Sequence, residues 1–317
     1  ISQLDNTEYP QDSLAFDITA MPADIVAMRT YYGLNGKTWN SYSDNTIYGF
    51  GTNIPGSTPL ANLYNIMNMF INNQNNSHPN AFCIVDDGGR DLLNLPFNVD
   101  QDLYLQEKAL DDQHLRSNVG GLIGNMYIMP GTIIEDAATG SGNDHIYGNN
   151  ANNYFTSGDG DDLILGLGGS DTFNGGKGRD IIVSGAFETP NSPDLFVYNF
   201  GDSLASAPDN IELVYSVDKI RIPIASGNYS PIRLFKLPDN QSATSTASLA
   251  QIVFAGLGAN TACFVRNTNP SFPSGTYLAI NDGNSLFTNS DLFINVFSPS
   301  IDSIPYGNIA PSNVFSA

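Results

Sequence analysis

The sequence predicts a mainly β fold: a parallel β-roll flanked by β-sandwich-like segments, with two short helices near the N-terminus. Three observations predict this class. Residues 139–183 repeat a glycine-rich nine-residue unit five times without an insertion. Strand-like runs separated by turn residues lie on both sides of the repeat, and apolar residues at helical spacing occur at 22–32 and 59–71.

The five repeats read TGSGNDHIY, GNNANNYFT, SGDGDDLIL, GLGGSDTFN and GGKGRDIIV. Each joins a six-residue turn, in which glycine permits positive φ and close backbone approach, to a three-residue strand. This spacing is typical of calcium-loaded parallel β-helices, the RTX β-roll. The middle strand residues are predicted to point inward, with the isoleucines in one ladder and the phenylalanines in the facing one: Ile146, Phe155, Ile164, Phe173 and Ile182.

Oxygen ligands recur at the sixth position of each repeat. Turns stacked 18 residues apart place two such side chains and several carbonyl oxygens around one point, which suits a hard cation that takes six to eight oxygens. We expect about three Ca²⁺ ions, between Asp144 and Asp162, Asn153 and Asp171, and Asp162 and Asp180. The middle site should be the weakest because it has one carboxylate fewer. The turn glycines complete the predicted ligand set: Gly140, Gly142, Gly158, Gly160, Gly169, Gly176 and Gly178.

Charge makes the predicted ions a folding requirement. Residues 139–183 contain six Asp and no Glu against Lys177 and Arg179, a net charge of −4, so the turns repel one another without metal. At calcium about 100 times the dissociation constant, each site adds about 2.7 kcal/mol. Three sites then give ~8 kcal/mol, against total stabilities of ~5–15 kcal/mol.

The whole chain is strongly acidic. It has 317 residues and a formal net charge of −20, and 27 of its 32 acidic residues are Asp. This field excludes nucleic acid and anionic lipid as partners, and no apolar stretch approaches the ~20 residues of a membrane span. The chain opens on Ile1, so we expect a processed N-terminus or a start inside a longer product. Cys83 and Cys263 could pair or stay free, and we favour free thiols.

The chain divides by pattern into four segments. Residues 1–80 contain the predicted helices 22–32 and 59–71, 81–138 turn to short strands, 139–185 form the roll, and 186–317 form a terminal β domain. Six runs predict strands in that last segment: LFVYNF, DKIRIPI, AQIVFAG, ACFVRN, GTYLAIN and DLFINVF.

Several blocks outside the repeat resemble, in the same order, the C-terminal half of serralysin-type (metzincin) metalloproteases. They are ADIVAMRTYYGLN, SDNTIYGFGTN, AFCIVDDGGRD and NVGGLIGNMYIMPGTIIEDAATGSGND, which together span about 22–185. The resemblance implies one further calcium site at the Asp-x-Gly-Gly-x-Asp loop. Its ligands would be Asp86, the Gly88 carbonyl and Asp91, with carbonyls near Tyr42, Asp44 and Thr46.

The zinc motif of that family is missing from this sequence. A metzincin needs His-Glu-x-x-His-x-x-Gly-x-x-His, which puts two imidazoles on one helix face and adds a third after a glycine turn. The three histidines, His78, His114 and His145, do not have this spacing. We therefore predict no catalytic residue and no Zn²⁺ in this chain.

The last segment, in particular GTYLAINDGNSLFTNSDLFINVF, resembles the ends of cyanobacterial proteins exported by type I secretion. That resemblance implies passage through the secretion machinery unfolded, an export signal near the C-terminus, and folding on meeting extracellular calcium. The leading interpretation is thus a secreted, non-catalytic calcium-binding module. One alternative is the C-terminal portion of a secreted zinc endopeptidase, with its catalytic domain upstream or on an associated chain. Another is an extracellular surface-layer or filament subunit that contacts like subunits.

Overall fold

A computed structural model describes residues 16–17, 43–55, 80–106, 116–185, 192–212, 218–222, 230–235, 243, 245–258, 261–267, 275–282, 288, 291–297 and 314–316. By its internal contacts the chain forms two compact lobes, an N-terminal lobe, Ile1–Tyr154, and a C-terminal lobe, Phe155–Ala317. The predicted helices at 22–32 and 59–71 lie outside the described residues. Among the described residues, no helix is long and apolar enough to cross a membrane.

The N-terminal lobe is built from short strands. They are β1 (Phe16–Asp17), β2 (Ile47–Gly49), β3 (Asn80–Ile84), β4 (Leu92–Asn94), β5 (Asp102–Tyr104), β6 (Met126–Ile128), β7 (Asp136–Ala138) and β8 (His145–Tyr147). Three parallel ladders run in the orders β1-β3-β6, β2-β4-β7 and β5-β8. In most of the three-residue strands the middle residue is buried, for example Leu93, Leu103 and Ile146.

The C-terminal lobe continues with strands of the same kind and one helix. β9 (Tyr154–Asp159) begins at the lobe boundary, and the rest are β10 (Leu163–Leu165), β11 (Thr172–Lys177), β12 (Ile181–Val183), β13 (Leu195–Val197), β14 (Asn210–Glu212), β15 (Lys219–Ile222), β16 (Ser230–Phe235), α1 (Thr246–Phe254), β17 (Thr261–Asn267), β18 (Gly275–Ile280), β19 (Leu292–Phe297) and β20 (Val314–Ser316). The mainly β fold class is confirmed.

Parallel pairing in this lobe extends past residue 185. One ladder runs β11-β13-β15-β20 and the other β10-β12-β14-β19, so strands of the terminal segment continue both ladders of the roll. β19, β18 and β17 then pair antiparallel, and β16 pairs parallel with β17.

The predicted core positions of the roll are all confirmed as buried. Ile164 lies opposite Ile182 in register, and the Phe155 and Phe173 rings stack with centroids 5.5 Å apart. Phe196 extends the phenylalanine stack at 5.1 Å from Phe173. The apolar interior therefore contributes to holding the coils together.

One predicted strand is wrong. The run AQIVFAG lies mainly in α1, whose N-terminus is closed by a capping box between Ser245 and Ser248. Leu249, Ala250, Val253 and Phe254 are buried at helical spacing, and they belong to the same apolar cluster as Cys263, Tyr277 and Phe293. The capping box and this one-sided packing override the β-rich composition of the run.

Candidate calcium sites

Buried aspartates precede the strands of the C-terminal lobe in two columns. Asp162, Asp180 and Asp209 stand immediately before β10, β12 and β14, and Asp171, Asp194 and Asp218 immediately before β11, β13 and β15. Within each column the backbone N–H of one aspartate donates to Oδ1 of the next. These N–O distances are 3.0 Å for Asp162–Asp180, 3.0 Å for Asp180–Asp209, 2.7 Å for Asp171–Asp194 and 3.1 Å for Asp194–Asp218.

Asp180 illustrates how the two carboxylate oxygens of such an aspartate are hydrogen-bonded. Its Oδ1 is occupied by the Asp162 N–H, but its buried Oδ2 accepts no hydrogen bond from any described residue. A Cβ added at Gly175 would lie 2.2 Å from this oxygen, so the glycine leaves the space beside it clear. A buried carboxylate oxygen without a donor is costly unless a cation faces it. The residues therefore fit a bound cation.

Electrostatics around Asp180 agree with this fit. Burial raises the pKa of Asp180 to about 7, the Asp162 N–H lowers it, and the carboxylates of Asp162, Asp161 and Asp202 raise it further. The pKa of Asp209 is raised well above its ordinary value, first by burial and then by Asp180. Several carboxylates are thus brought together, and the nearby cations lie on the exposed side of the turns, where Arg179 pairs with Asp161 at 3.4 Å and Lys177 with Asp159 at 3.8 Å.

Backbone carbonyls of the glycine turns supply the remaining oxygens. A Cβ at Gly176 would meet the Gly158 oxygen at 1.9 Å, and one at Gly178 would meet the Gly160 oxygen at 1.8 Å. Gly176 and Gly178 also have φ of +85° and +140°, which L side chains rarely adopt. Among the described residues, no three His, Cys, Asp or Glu side chains gather as a metal centre. The backbone carbonyls that these turns bring close together are candidate ligands beside the buried carboxylates, since hard cations take oxygen ligands of both kinds.

The positive-φ backbone is shared by the third, fourth and fifth turns of the repeat. Gly158 and Gly160 have φ of +105° and +142°, and Gly169 has +118°. At the second position of the fourth turn the sequence has no glycine, yet Leu167 still takes φ +78°. A leucine in this region carries ~1–2 kcal/mol of strain, so the surrounding turn imposes the conformation.

The predicted calcium loop of the N-terminal lobe also comes together. Asp86 Oδ1 accepts the Gly88 N–H at 2.8 Å, and its Oδ2 accepts the Tyr48 hydroxyl at 2.5 Å. Asp91 Oδ1 accepts the Thr46 N–H at 2.7 Å, and its buried Oδ2 has no donor among the described residues. A Cβ at Gly89 would lie 2.6 Å from the Asp44 carbonyl oxygen, which lies close to this loop.

Glu135 joins this loop, although no motif in the sequence includes it. Its Oε2 accepts the Asp91 N–H at 2.7 Å. Burial raises the pKa of Asp91 to about 7, the Thr46 N–H lowers it, and Asp86 and Glu135 raise it. Arg90 lies in the same loop but is turned to Asp136, at 2.6 and 3.1 Å. Tyr42, the other predicted carbonyl donor, lies outside the described residues.

The first two turns of the repeat differ from the later ones. Asp144 is buried and its Oδ1 accepts the Gln101 N–H at 2.8 Å, as in the aspartate columns. Gly140 and Gly142 pack against the backbone of Phe97 and Val99. Asn153, in the second turn, uses its amide nitrogen to donate to the Glu135 carbonyl at 2.8 Å. N–H groups of Asn153 and Tyr154 thus occupy the main-chain carbonyl oxygen of Glu135 beside the second turn, so this oxygen is not available to a cation there.

The structure places Asp162 beside Asp180, whose Oδ1 accepts the Asp162 N–H, and a calcium ion between them stays a prediction. The pairings of Asp144 with Asp162 and of Asn153 with Asp171 stay predictions. Sequence reasoning missed Asp194, Asp202, Asp209, Asp218 and Glu135. For three of them a signal existed, since PDLFV, DNIEL and DKIRI each set an Asp two residues before a buried apolar residue, as the repeat does.

The structure describes one of the three histidines and both cysteines. His145 is half-exposed and its Nδ1 lies 2.8 Å from Asp102 Oδ1, whereas His78 and His114 lie outside the described residues. Cys83 and Cys263 are both buried free thiols.

Comparison with known proteins gives one family. The model of the Peptidase M10 serralysin C-terminal family matches residues 38–237. Metallopeptidase AprA of Pseudomonas marginalis is 38% identical over 131 residues, which is 41% of this chain and 23% of that protein. Serralysin of Photorhabdus laumondii is 34% identical over 131 residues, with the same coverage of 41% and 23%. The aligned region thus spans about a quarter of the length of these relatives.

The matched residues include the Asp86–Asp91 loop, all five repeats and both aspartate columns described above. More than half of the chain follows the family pattern, from before the first calcium-type loop to beyond the last buried aspartate. The chain therefore belongs to the Peptidase M10 serralysin C-terminal family.

Proposed function

We propose that this chain is a secreted, non-catalytic RTX module that folds when Ca²⁺ fills the stacked turns. The observation that carries the proposal is Asp180, a buried carboxylate with one oxygen facing a space kept clear by a glycine. Two similar proteins are named metallopeptidase AprA and serralysin, and the acidic, Asp-rich composition of this chain suits oxygen-ligand turns.

The proposed ions divide between the lobes. In the C-terminal lobe the columns through Asp180 and Asp194 would each hold ions between successive aspartates, aided by Asp202 and the carbonyls of Gly158, Gly160, Gly176 and Gly178. In the N-terminal lobe Asp86, Asp91 and Glu135 would hold a further ion with the Asp44 and Gly88 carbonyls. When bound, each ion supplies positive charge that offsets the mutual repulsion of these carboxylates.

The proposed sequence of events follows from that repulsion. In the calcium-poor cytosol the carboxylates repel one another and the columns stay open, which suits passage through a type I secretion channel. Outside the cell, calcium neutralises the columns and the apolar ladders can close. The extracellular location, the export signal near the C-terminus and the absence of Zn²⁺ belong to this proposal.

The test is a calcium titration of the full chain, followed by circular dichroism and by calorimetry. We expect a gain of β signal together with uptake of at least three ions, and reversal by a chelator. Magnesium serves as the control cation, because it prefers a smaller octahedral site at 2.0–2.1 Å. A chain that is fully folded in chelator and takes up no calcium would overturn the proposal.

A second function is favoured by the length of the relatives. Because the aligned region is 23% of AprA and of serralysin, the chain could serve as the C-terminal portion of a longer zinc peptidase. Sequencing the coding region upstream of Ile1 tests this. A His-Glu-x-x-His helix there supports it, and an upstream region without one refutes it for a single polypeptide.

A further inference from the structure

The second turn of the repeat, Gly148–Asn153, is closed by two side-chain amides. Asn149 Nδ2 donates to the carbonyls of Ile134 and Leu105 at 2.8 and 3.2 Å. Asn153 Nδ2 donates to the Glu135 carbonyl at 2.8 Å and to Asn149 Oδ1 at 3.2 Å. We call these residues the amide turn.

The two amide oxygens are occupied as well. Asn149 Oδ1 accepts the Ala151 N–H at 2.8 Å, and Asn153 Oδ1 accepts the Asn149 N–H at 3.2 Å. All four polar side-chain atoms of the pair are therefore satisfied inside the protein. The turn lacks the buried oxygen without a donor that marks Asp180.

The backbone of the amide turn is also different. At the second and fourth positions of the fifth turn, Gly176 and Gly178 have positive φ. Asn149 and Ala151 occupy the same two positions, and neither has positive φ, since Leu167 is the one non-glycine residue with it among those described. The backbone of the amide turn therefore differs at these two positions from that of the fifth turn.

We propose that the amide turn is a calcium-independent turn, in which the Asn149 and Asn153 amides occupy the place that a cation takes between aspartate turns. It keeps the junction between Ile134–Glu135 and Asn149–Asn153 formed when calcium is absent. This inference rests on the proposed calcium binding of the other turns.

The first test is hydrogen exchange of the full chain in chelator, read at backbone amides with known acceptors. Ala151 and Tyr154 report the amide turn, and Asp162 and Asp180 report the aspartate turns. We expect the backbone amide hydrogens of Ala151 and Tyr154 to exchange at least roughly tenfold more slowly than those of Asp162 and Asp180. One or two net hydrogen bonds supply such a factor. Equal exchange in the two groups would overturn the inference.

The second test substitutes the side chains at the sixth position of the two kinds of turn. Asn153→Asp removes the amide donor and adds a carboxylate, so the variant should take up one more calcium ion than the parent and lose the slow exchange in chelator. Asp180→Asn is the matched variant, one atom changed at the same repeat position, and should take up at least one ion fewer. Both are measured by calorimetry and by exchange.

The outcomes separate the two proposals. If Asp180→Asn leaves calcium uptake unchanged, the proposed calcium function fails. If Asp180→Asn loses an ion but Asn153→Asp gains none, or keeps slow exchange in chelator, only the amide-turn inference fails. An Asn153→Asp variant that stays unfolded at saturating calcium also counts against the inference, because calcium should rescue it.

Discussion

The amide turn and the fifth turn, Gly175–Asp180, occupy the same place in the nine-residue register but close in opposite ways. Both precede a strand with a buried central residue, Phe155 and Ile182. In one, two neutral amides satisfy each other and three carbonyls. In the other, a buried carboxylate oxygen has no donor and neighbours other carboxylates. The period sets the strand and core, and the residue at the sixth position sets the need for a cation.

The largest expected effect comes from removing Asp180. In the repeat alone Asp180 is the last ligand and serves one site, but in the structure Asp209 follows it and accepts its N–H at 3.0 Å. Asp180→Ala should therefore weaken two sites and lower the free energy of unfolding in calcium by roughly 3–5 kcal/mol, if each filled site adds about 2.7. Denaturant unfolding in calcium and in chelator measures this.

Asp159→Ala is the matched control for that variant. Asp159 lies in the third turn, is exposed, and pairs with Lys177 at 3.8 Å. Its loss should change stability by less than about 1 kcal/mol, as exposed ion pairs do. Similar losses in the two variants would mean that net charge, and not the buried column, governs calcium binding.

A smaller effect is expected from filling the space beside Asp180. In Gly175→Ala the new methyl would lie 2.2 Å from Asp180 Oδ2, so the carboxylate must move. We expect weaker calcium binding and about 1–3 kcal/mol of destabilisation, the range for overpacking. The control is Gly258→Ala, whose Cβ would meet only Thr261 at 3.9 Å. Equal calcium affinities in the two variants would show that Asp180 Oδ2 is not a calcium ligand.

The smallest expected effect is a pH dependence of the calcium-free protein. Burial raises the pKa of Asp180 to about 7 in the folded chain, against an ordinary value near 4. A raised carboxyl pKa means that the folded turn binds the proton more tightly, so its stability is greatest below pH 4 and falls as pH rises through 7. The groups that face Asp180 here are Asp162, Asp161, Asp202 and Asp209.

The amide turn has no titrating side chain, so it serves as the control within the same protein. In chelator, exchange at Asp162 and Asp180, corrected for intrinsic rates, should slow from pH 8 to pH 5. Exchange at Ala151 should change much less. Parallel changes at both turns would show that pH acts on the whole chain and not on the aspartate columns.

The repeat predicted a large part of the fold because its chemistry is local. Ile164, Phe173 and Ile182 were predicted inward from periodicity alone, and each is buried. Asp86 and Asp91 were placed together through the family resemblance, and both bind neighbouring backbone N–H groups as a loop of that kind requires. The helix α1 was missed because its capping box and packing partners, not its composition, select the helix.

Other parts of the candidate sites depend on contacts distant in sequence. Glu135 reaches the Asp91 N–H across 44 residues, and Asp209 reaches the Asp180 N–H across 29, where the nine-residue spacing is lost. The spacing fails because insertions between coils change the sequence distance without changing the stacking of strands. Strand pairing shows that Asp209 continues the column of Asp180 and that Glu135 stands beside Asp91.

The sequence by itself determined the register of the roll, its apolar ladders and the sixth-position residues, because a fixed period repeats the same local geometry. Tertiary structure decided which of those polar side chains are satisfied by hydrogen bonds within the protein. Asn153 and Asp180 stand at equivalent positions, but Asn153 meets carbonyls and a second amide, whereas Asp180 meets carboxylates and a glycine-lined space. A buried oxygen needs positive charge only when its neighbours do not supply N–H donors.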